Sequence, residues 1–479
     1  MENQNILLAI ILIPVLGAFI LPILGRVSSR LRNASALIFV LVSLVLSLRL
    51  VPAVIHGQTI SVAKTLPLGF NFVFIADGLA VFTAIVSSLI SAVIILYSFG
   101  YISHYQNQSE YYCMVVLFLG SMMGIVYSAN LIFLYIFWEI TAIVSWRLIG
   151  FFREKKDVLR ADKAFLVTFF GALLMLVGFI YIYYSTGSFD LLVVKEILKN
   201  NPLPNFAVAL IMVGILAKSA TLPLHTWLPD AGVAPSPVTA LLHAAVLVKI
   251  GVYVFARLFI ASFNIEQIWH TVVPVIAGLS MIISAGAALI ETDFKRIVAY
   301  STISQIGFIF FGLATGNAIG IVGGILFILM HGLAKAGLFL CAGIVEQNTK
   351  TKDITQLGGL IKTMPITAVA FLFCAFSVMG IPPFGGFFSK YLVFSGSVQN
   401  HQPMITLTFL VGGFLTILYL FRLFNKVFLG EAKIPGKEGS TIMIVSVVIL
   451  AALSLIAGIF VSYPLQFVQA AVRQMLGAG

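Results

Sequence analysis

Residues 217–238 read AKSATLPLHTWLPDAGVAPSPV, and this stretch decides the fold. It joins one apolar run, 205–216, to another, 238–260, yet it holds Lys218, His225 and four prolines, Pro223, Pro229, Pro235 and Pro237. Proline removes a backbone donor and clashes with the preceding turn, so a continuous helix cannot pass through. At membrane depth the freed backbone groups must be satisfied by neighbouring helices, side chains or water, which confines such a break to a buried or wet site. A second stretch repeats the pattern: MGIPPFGGFFSKYLVF, 379–394, with Pro382, Pro383, Gly385 and Gly386. Lys218 lies five residues before Pro223 and Lys390 seven after Pro383, so each break has a lysine nearby. Paired interrupted spans in corresponding places of two halves mark a repeat transporter. The breaks fall in the fourth spans of two five-helix units, approximately 112–260 and 270–428.

The rest of the chain supplies the membrane. Of 479 residues 60% are hydrophobic and 9% charged, with a mean hydropathy of +1.09. That much apolar surface needs lipid to cover it. Runs of about 20 apolar residues, enough to cross a bilayer, recur along almost the whole length. About 14 spans are expected, near 6–24, 33–55, 78–102, 112–130, 131–152, 163–185, 205–228, 238–260, 270–290, 295–314, 318–345, 364–399, 404–428 and 440–468. The expected organisation is an N-terminal three-helix segment (1–111), two repeats (112–260 and 261–430) and a C-terminal helix (431–479). The first run lacks a basic leader region and a cleavage site, and reads as a retained helix. The loop around 186–204, with Asp190, Lys195, Glu196 and Lys199, suits a short amphipathic surface helix. It is also too short for a soluble domain.

The net charge of +11 suggests nucleic acid until the basic residues are sorted by loop. One face holds Arg26, Arg30, Arg32, Arg147, Arg153, Lys155, Lys156, Arg160, Lys163, Lys295, Arg296, Lys350, Lys352, Lys362, Arg422, Lys426, Lys433 and Lys437. The other holds Arg49, Lys64, Lys195, Lys199, Arg257 and Arg473, an 18-to-6 split. Lys- and Arg-rich loops stay cytoplasmic. The charge is therefore topological and excludes nucleic acid as the expected partner; both termini are placed outside the cytoplasm. Cys113, Cys341 and Cys374 stand alone in apolar runs, so neither a disulfide nor a metal or iron–sulfur site is expected in this chain.

Five ionisable residues lie inside the spans: Glu139, Lys218, Lys249, Lys335 and Lys390. Each costs roughly 2.5–3.5 kcal/mol on insertion scales and marks a functional site by default. Burial disfavours the charged form of any such group, which makes proton exchange near neutral pH accessible. His331 precedes Lys335 by four residues, on the same helix face, and His243 precedes Lys249 by six. Alternating Lys and His groups form a proton relay, with His225 at the polar end of the first break either relaying or capping. Glu139 and Lys218 are a natural ion pair if their helices meet. Asp77 reads as a helix cap, and Asp293, Lys295 and Arg296 as a topological cluster.

At these segments the chain resembles the antiporter-like subunits shared by respiratory complex I, Mrp-type cation/proton antiporters and membrane-bound group 4 [NiFe] hydrogenases or formate hydrogenlyases. The resemblance rests on DGL at 77–79, FWE at 137–139, LIGFF at 148–152, AKSATLPLHTWLPDA at 217–231, TDFKRIVAYSTISQIG at 292–307, HGLAKAGLFL at 331–340 and GIPPFGGFFSK at 380–390. It covers nearly the whole chain. It implies an all-α integral membrane fold of about 14 helices with two inverted five-helix repeats, each with one broken helix. It implies Glu139 and Lys218 as the ion pair of a first half-channel, Lys249 as the central lysine and Lys390 as the lysine leading outward. His331 and Lys335 relay between centre and exit. One complex I relative has glutamate where this chain has Lys390. Trp146-Arg147 departs from the tyrosine and apolar residue more usual before LIGF, and places Arg147 two turns from Glu139. The sequence stops soon after its fourteenth span, like the compact members.

Three readings follow from the resemblance and the charges. The leading one is a proton- or cation/proton-translocating subunit of a redox-driven complex in the cell membrane. Its iron–sulfur and nickel–iron centres would lie in partner subunits, among other membrane chains and a peripheral arm. The second is a subunit of a secondary Na+/H+ antiporter. The third, a scaffold or solute carrier, leaves the row of charges unexplained.

Overall fold

The computed structural model describes residues 3–65, 71–401 and 403–477. Its elements run α1 (Asn3–Val27), α2 (Ser29–Ile55), β1 (Ile60–Thr65), β2 (Asn71–Ala76), α3 (Gly78–Tyr101), α4 (Gln108–Tyr127), α5 (Leu131–Ile149) and α6 (Lys155–Thr186). Then follow α7 (Leu191–Ile197), α8 (Asn205–Lys218), α9 (Trp227–Asp230), α10 (Ser236–Ala240), α11 (Leu247–Phe259), α12 (Trp269–Ile290) and α13 (Phe294–Leu313). The chain closes with α14 (Ala318–Thr349), α15 (Pro365–Met379), α16 (Gly385–Gln399), α17 (Pro403–Phe428), α18 (Thr441–Ile459) and α19 (Ser462–Met475). Among the described residues twelve helices are long and apolar enough to cross a membrane. The apolar helices α8 and α15 are shorter because each stops at its break, at Lys218 and at Met379.

Burial sorts the helices into two populations. The helices α3, α13, α14 and the stretch 236–259 are enclosed on nearly every side, whereas α1, α2, α6, α17 and α18 keep an open face. Those open faces carry large apolar side chains such as Leu16, Ile38, Leu166, Phe170, Phe414 and Ile459, as lipid-facing surfaces do. The enclosed helices pack closely through glycines. A Cβ on Gly251 of α11 would sit 2.7 Å from the Ile215 carbonyl oxygen of α8. Side-chain caps set several helix starts, with Asn130, Asp77, Asp293 and Asn317 accepting from backbone N–H groups one turn in.

Three features were not in the sequence reading. The strands β1 and β2 form an antiparallel hairpin pairing Ile60 with Ala76; β1 buries Ile60 and Val62 and exposes Ser61 and Ala63, whereas β2 buries Val73, Phe74 and Ile75 together and lacks the alternation that signals a strand. The last span, expected over 440–468, ends at Ile459. A separate amphipathic helix follows, burying Val468, Ala471, Val472 and Met475 and tied to α3 by Gln474, which accepts from Gly78 N at 2.8 Å. Residues 241–245 form a π-helical turn, so the expected span 238–260 is not one regular helix.

Candidate functional site

The π turn at Leu241–Ala245 widens the helix just before Lys249, with Val246 at φ −128°, ψ −74°. Such turns gather at functional sites because the wider turn re-aims the side chains around it. Here Lys249 Nζ lies 2.5 Å from His331 Nδ1, joining α11 to α14 across 82 residues of sequence. Both residues are buried. The other ring nitrogen of His331, Nε2, has no hydrogen-bond partner among the described residues, and neither nitrogen of His243 has one. The His243 ring stacks obliquely on Phe339, centroids 4.4 Å apart. A buried imidazole with open nitrogens is costly as structure, and well placed to take or give a proton.

The ends of the row are built alike. Lys218, at the last turn of α8, donates to the Trp138 carbonyl at 3.0 Å and lies 5.1 Å from the Trp138 ring centre. Lys390, in the first turns of α16, donates to the Val378 carbonyl at 2.7 Å, with its ammonium 4.3 Å from the Phe308 ring centre. The Val378 carbonyl is freed by the end of α15 at Met379, whereas the Trp138 carbonyl lies within the continuous helix α5 and also accepts from Thr141 Oγ1. Glu139 follows Trp138 directly, and its Oε1 is buried without a hydrogen bond among the described residues. The expected Glu139–Lys218 ion pair is thus not closed in this structure: Lys218 sits on the carbonyl next door, within Coulombic reach of the carboxylate.

Lys335 makes no hydrogen bond to His331, although they share a helix face and His331 feels the lysine's charge. It turns to α13, bonding Ser301 Oγ and the Val298 carbonyl at 3.3 Å. Ser301 meets the Tyr419 hydroxyl at 2.7 Å, and Gln305 donates to Tyr419 (3.2 Å) and Thr416 (3.1 Å), so a polar thread runs from Lys335 into α17. His225 is half-buried, and the charged side chain it feels is Lys163. No group of three or more His, Cys, Asp or Glu side chains among the described residues is placed to hold a metal.

The model for NADH:quinone oxidoreductase/Mrp antiporter transmembrane subunits matches residues 128–416, and that for the N-terminus of complex I chain 5 matches 63–112. The chain belongs to this family. Subunit A1 of the Na(+)/H(+) antiporter of Staphylococcus aureus is 34% identical over 487 aligned residues, covering 94% of this chain and 60% of the relative. The chain therefore spans about 60% of the length of the curated relatives it matches. A chain in the Mrp complex from Dietzia sp. DQ12-45-1b shares the fold at TM-score 0.91 and 22% identity, with 100% of this chain and 98% of that one covered. A chain in the membrane-bound sulfane sulfur reductase, an archaeal respiratory membrane complex, does so at 0.90 and 24%, with 98% of each covered.

Beyond the charges inside the spans, the basic face of this chain holds a second set, of which the sequence reading took Asp293, Lys295 and Arg296 as topological. Lys295 is buried, paired with Glu346 at 2.7 Å and donating to the Ala234 carbonyl at 3.0 Å. Asp230 accepts from Lys163 and Arg296, each at 2.7 Å, and Arg296 also holds Glu291 at 2.8 Å. Burial raises the Asp230 and Glu291 pKa values, yet Lys163 and Arg296 at Asp230, and Arg296 with the Asp293 and Thr292 backbone N–H groups at Glu291, outweigh it, leaving both below their ordinary values. Arg147 does not turn to Glu139; it binds Glu110, as Arg153 does at 2.8 Å. Asp77 caps α3, as expected, and also takes both arms of Arg257 at 2.5 and 2.7 Å. The missed signal was pairing across distant segments, which single-residue anomalies do not reveal.

Proposed function

We propose that this chain is the ion-translocating subunit of a multi-subunit membrane complex, moving protons along Glu139, Lys218, Lys249, His331, Lys335 and Lys390. The observation that carries this reading is the Lys249–His331 contact between two enclosed helices, with unpartnered imidazole nitrogens on His331 and His243. An ammonium and an imidazole at hydrogen-bond distance share one transferable proton. The close seat of α11 on α8 at Gly251, two residues beyond Lys249, brings the Lys218 and Lys249 helices together.

The cycle is electrostatic. With Lys218 drawn to Glu139 its charge is neutralised locally. When it moves to the Trp138 carbonyl, its unpaired charge repels the proton on Lys249 towards His331. The proton then passes through Lys335 to Lys390 and leaves on the face opposite the basic loops. Those loops face the cytoplasm in this proposal, and both termini lie on the far side.

Of the two drives for such a cycle, the secondary cation/proton antiporter is favoured over the redox-driven complex. The S. aureus relative, at 34% identity, is an antiporter subunit, whereas the respiratory complex shares the fold at 24%. The antiporter reading needs no redox centre; the redox reading places iron–sulfur and nickel–iron centres in partner subunits. The complex purified in mild detergent and placed in vesicles separates them. Collapse of an imposed pH gradient on adding Na+, without electron donor and without iron or nickel in the preparation, is the expected result. Proton movement that requires a donor and stoichiometric iron would replace the antiporter with the redox-driven pump.

A further inference from the structure

We propose that Glu346, paired with Lys295, is the port through which protons from the basic face reach His243, at the end of a polar pocket between α3, α14 and the segment before α18. The inference rests on the proton-moving reading above. The pocket has a volume of about 770 Å³ and is lined by His104, Tyr105, Asn348, Lys350, Glu438 and Ser440, among others. It opens beside the basic loops, and Gln347 and Asn348, the residues after Glu346, are in its wall.

Inward from the pocket the polar groups line up on one seam. Lys295 of α13 is 2% exposed and Glu346 28%, so the pair joins the buried interior to accessible surface one residue from the pocket wall at Gln347. Ser236 Oγ lies 3.4 Å from Glu346 Oε2. Ser236 and His243 both meet α14, at Glu346 and at Phe339, and Thr239 lies between them in sequence. Thr239 Oγ1 donates back to the Ser236 carbonyl at 2.8 Å. Gly343 on the facing helix lets Ser236 and Tyr97 approach closely: a Cβ there would lie 2.5 Å from Ser236 Cβ, 2.7 Å from the Tyr97 hydroxyl and 2.8 Å from Ser236 Oγ. One turn deeper, Phe339 carries the His243 ring, whose two nitrogens lack partners among the described residues. Glu346 lies eleven residues from Lys335 on α14, about 16 Å of helix, so Ser236, Thr239 and His243 fill the gap between surface and relay.

The step balances simply. The Glu346 carboxylate takes a proton arriving in the pocket and hands one on along the Ser236 side, His243 accepts one at an open nitrogen, and Glu346 returns to its anionic pairing with Lys295. The titratable and charged groups facing Glu346 are Lys295 on α13 and Tyr97, Tyr101 and Tyr105 on and after α3.

The test uses the whole complex in sealed vesicles, following the rate of proton movement. Glu346→Gln is expected to slow it by about 10²-fold, the usual weight of one acid–base group. Because that variant strands Lys295, the paired change Lys295→Met with Glu346→Leu leaves no lone charge and should assemble normally, yet be equally slow. Asn348→Cys, labelled with a membrane-impermeant thiol reagent from the basic face, should also lose rate, the native cysteines being buried. Wild-type rate in the assembled paired variant, or unchanged rate after complete labelling, overturns the port. Lys249→Met is run alongside: if it transports normally, the relay reading itself has failed, whereas a dead Lys249→Met with normal Glu346 variants refutes the port alone.

Discussion

Replacing Lys249 with Met removes the central ammonium while nearly preserving side-chain length. Lys249 is 1% exposed and its Nζ has one described partner, His331 Nδ1, so the change breaks a single contact. His331 Nε2 is already open, and the variant leaves the whole imidazole unpartnered at a cost of about 1–3 kcal/mol. Against this, a buried ammonium carries a desolvation penalty of several kcal/mol that Met does not. The two effects oppose each other, so net stability should change little and the complex should assemble. Transport should nevertheless fall by about 10²-fold or more, since a proton-transfer group is gone. Lys249→Arg sharpens the test, because a guanidinium stays protonated and can hold charge without releasing a proton. Equal yield by size-exclusion chromatography, with proton flux lost in both variants, is the expected outcome. Flux restored by Arg would show that charge alone matters, and a normal Lys249→Met would remove this residue from the pathway.

Three further outcomes follow from the packing. Asp77→Ala strands Arg257, 3% exposed, and removes the α3 cap, for a loss of about 4–6 kcal/mol. Asp77→Leu with Arg257→Met should recover most of it, and equal thermal stability of the single and double variants would refute the lock. Gly386→Ala places a Cβ 1.8 Å from the Ser377 carbonyl oxygen, whereas Gly286→Ala meets nothing within 4 Å. The first should cost about 3 kcal/mol or more and lower assembled yield; the second should be neutral or stabilising by up to about 1 kcal/mol. Asp230 and Glu291 have folded pKa values below their ordinary 3.8 and 4.5. Their contribution is present above those ordinary values and is lost as pH falls through the depressed ones. Melting temperature measured downward from pH 5 should therefore drop below about pH 4, and Asp230→Asn should flatten that drop.

What could be read from sequence was whatever a single residue or run announces. A lysine within an apolar run, a proline pair in a span and the bias of basic loops each carry their meaning locally. The membrane class, the two breaks and most helix limits follow from them. What could not be read was contact. Nothing in HAAVLVKIGVYVF states that Lys249 meets His331, and nothing in the FKR loop marks Lys295 as buried on Glu346 rather than solvated. Nor does the spacing of His331 and Lys335 state that the Lys335 ammonium bonds Ser301. The π turn was hidden because its residues, LLHAA, suit an ordinary helix.

The central claim is that the switch between Glu139 and the Trp138 carbonyl at Lys218 drives the proton. The most direct measurement is proton flux through the purified, vesicle-embedded complex carrying Glu139→Gln or Lys218→Met, with subunit composition checked in the same preparation. Loss of flux in both variants, with all partner chains retained, is the predicted result. Near-normal flux in either fully assembled variant contradicts it.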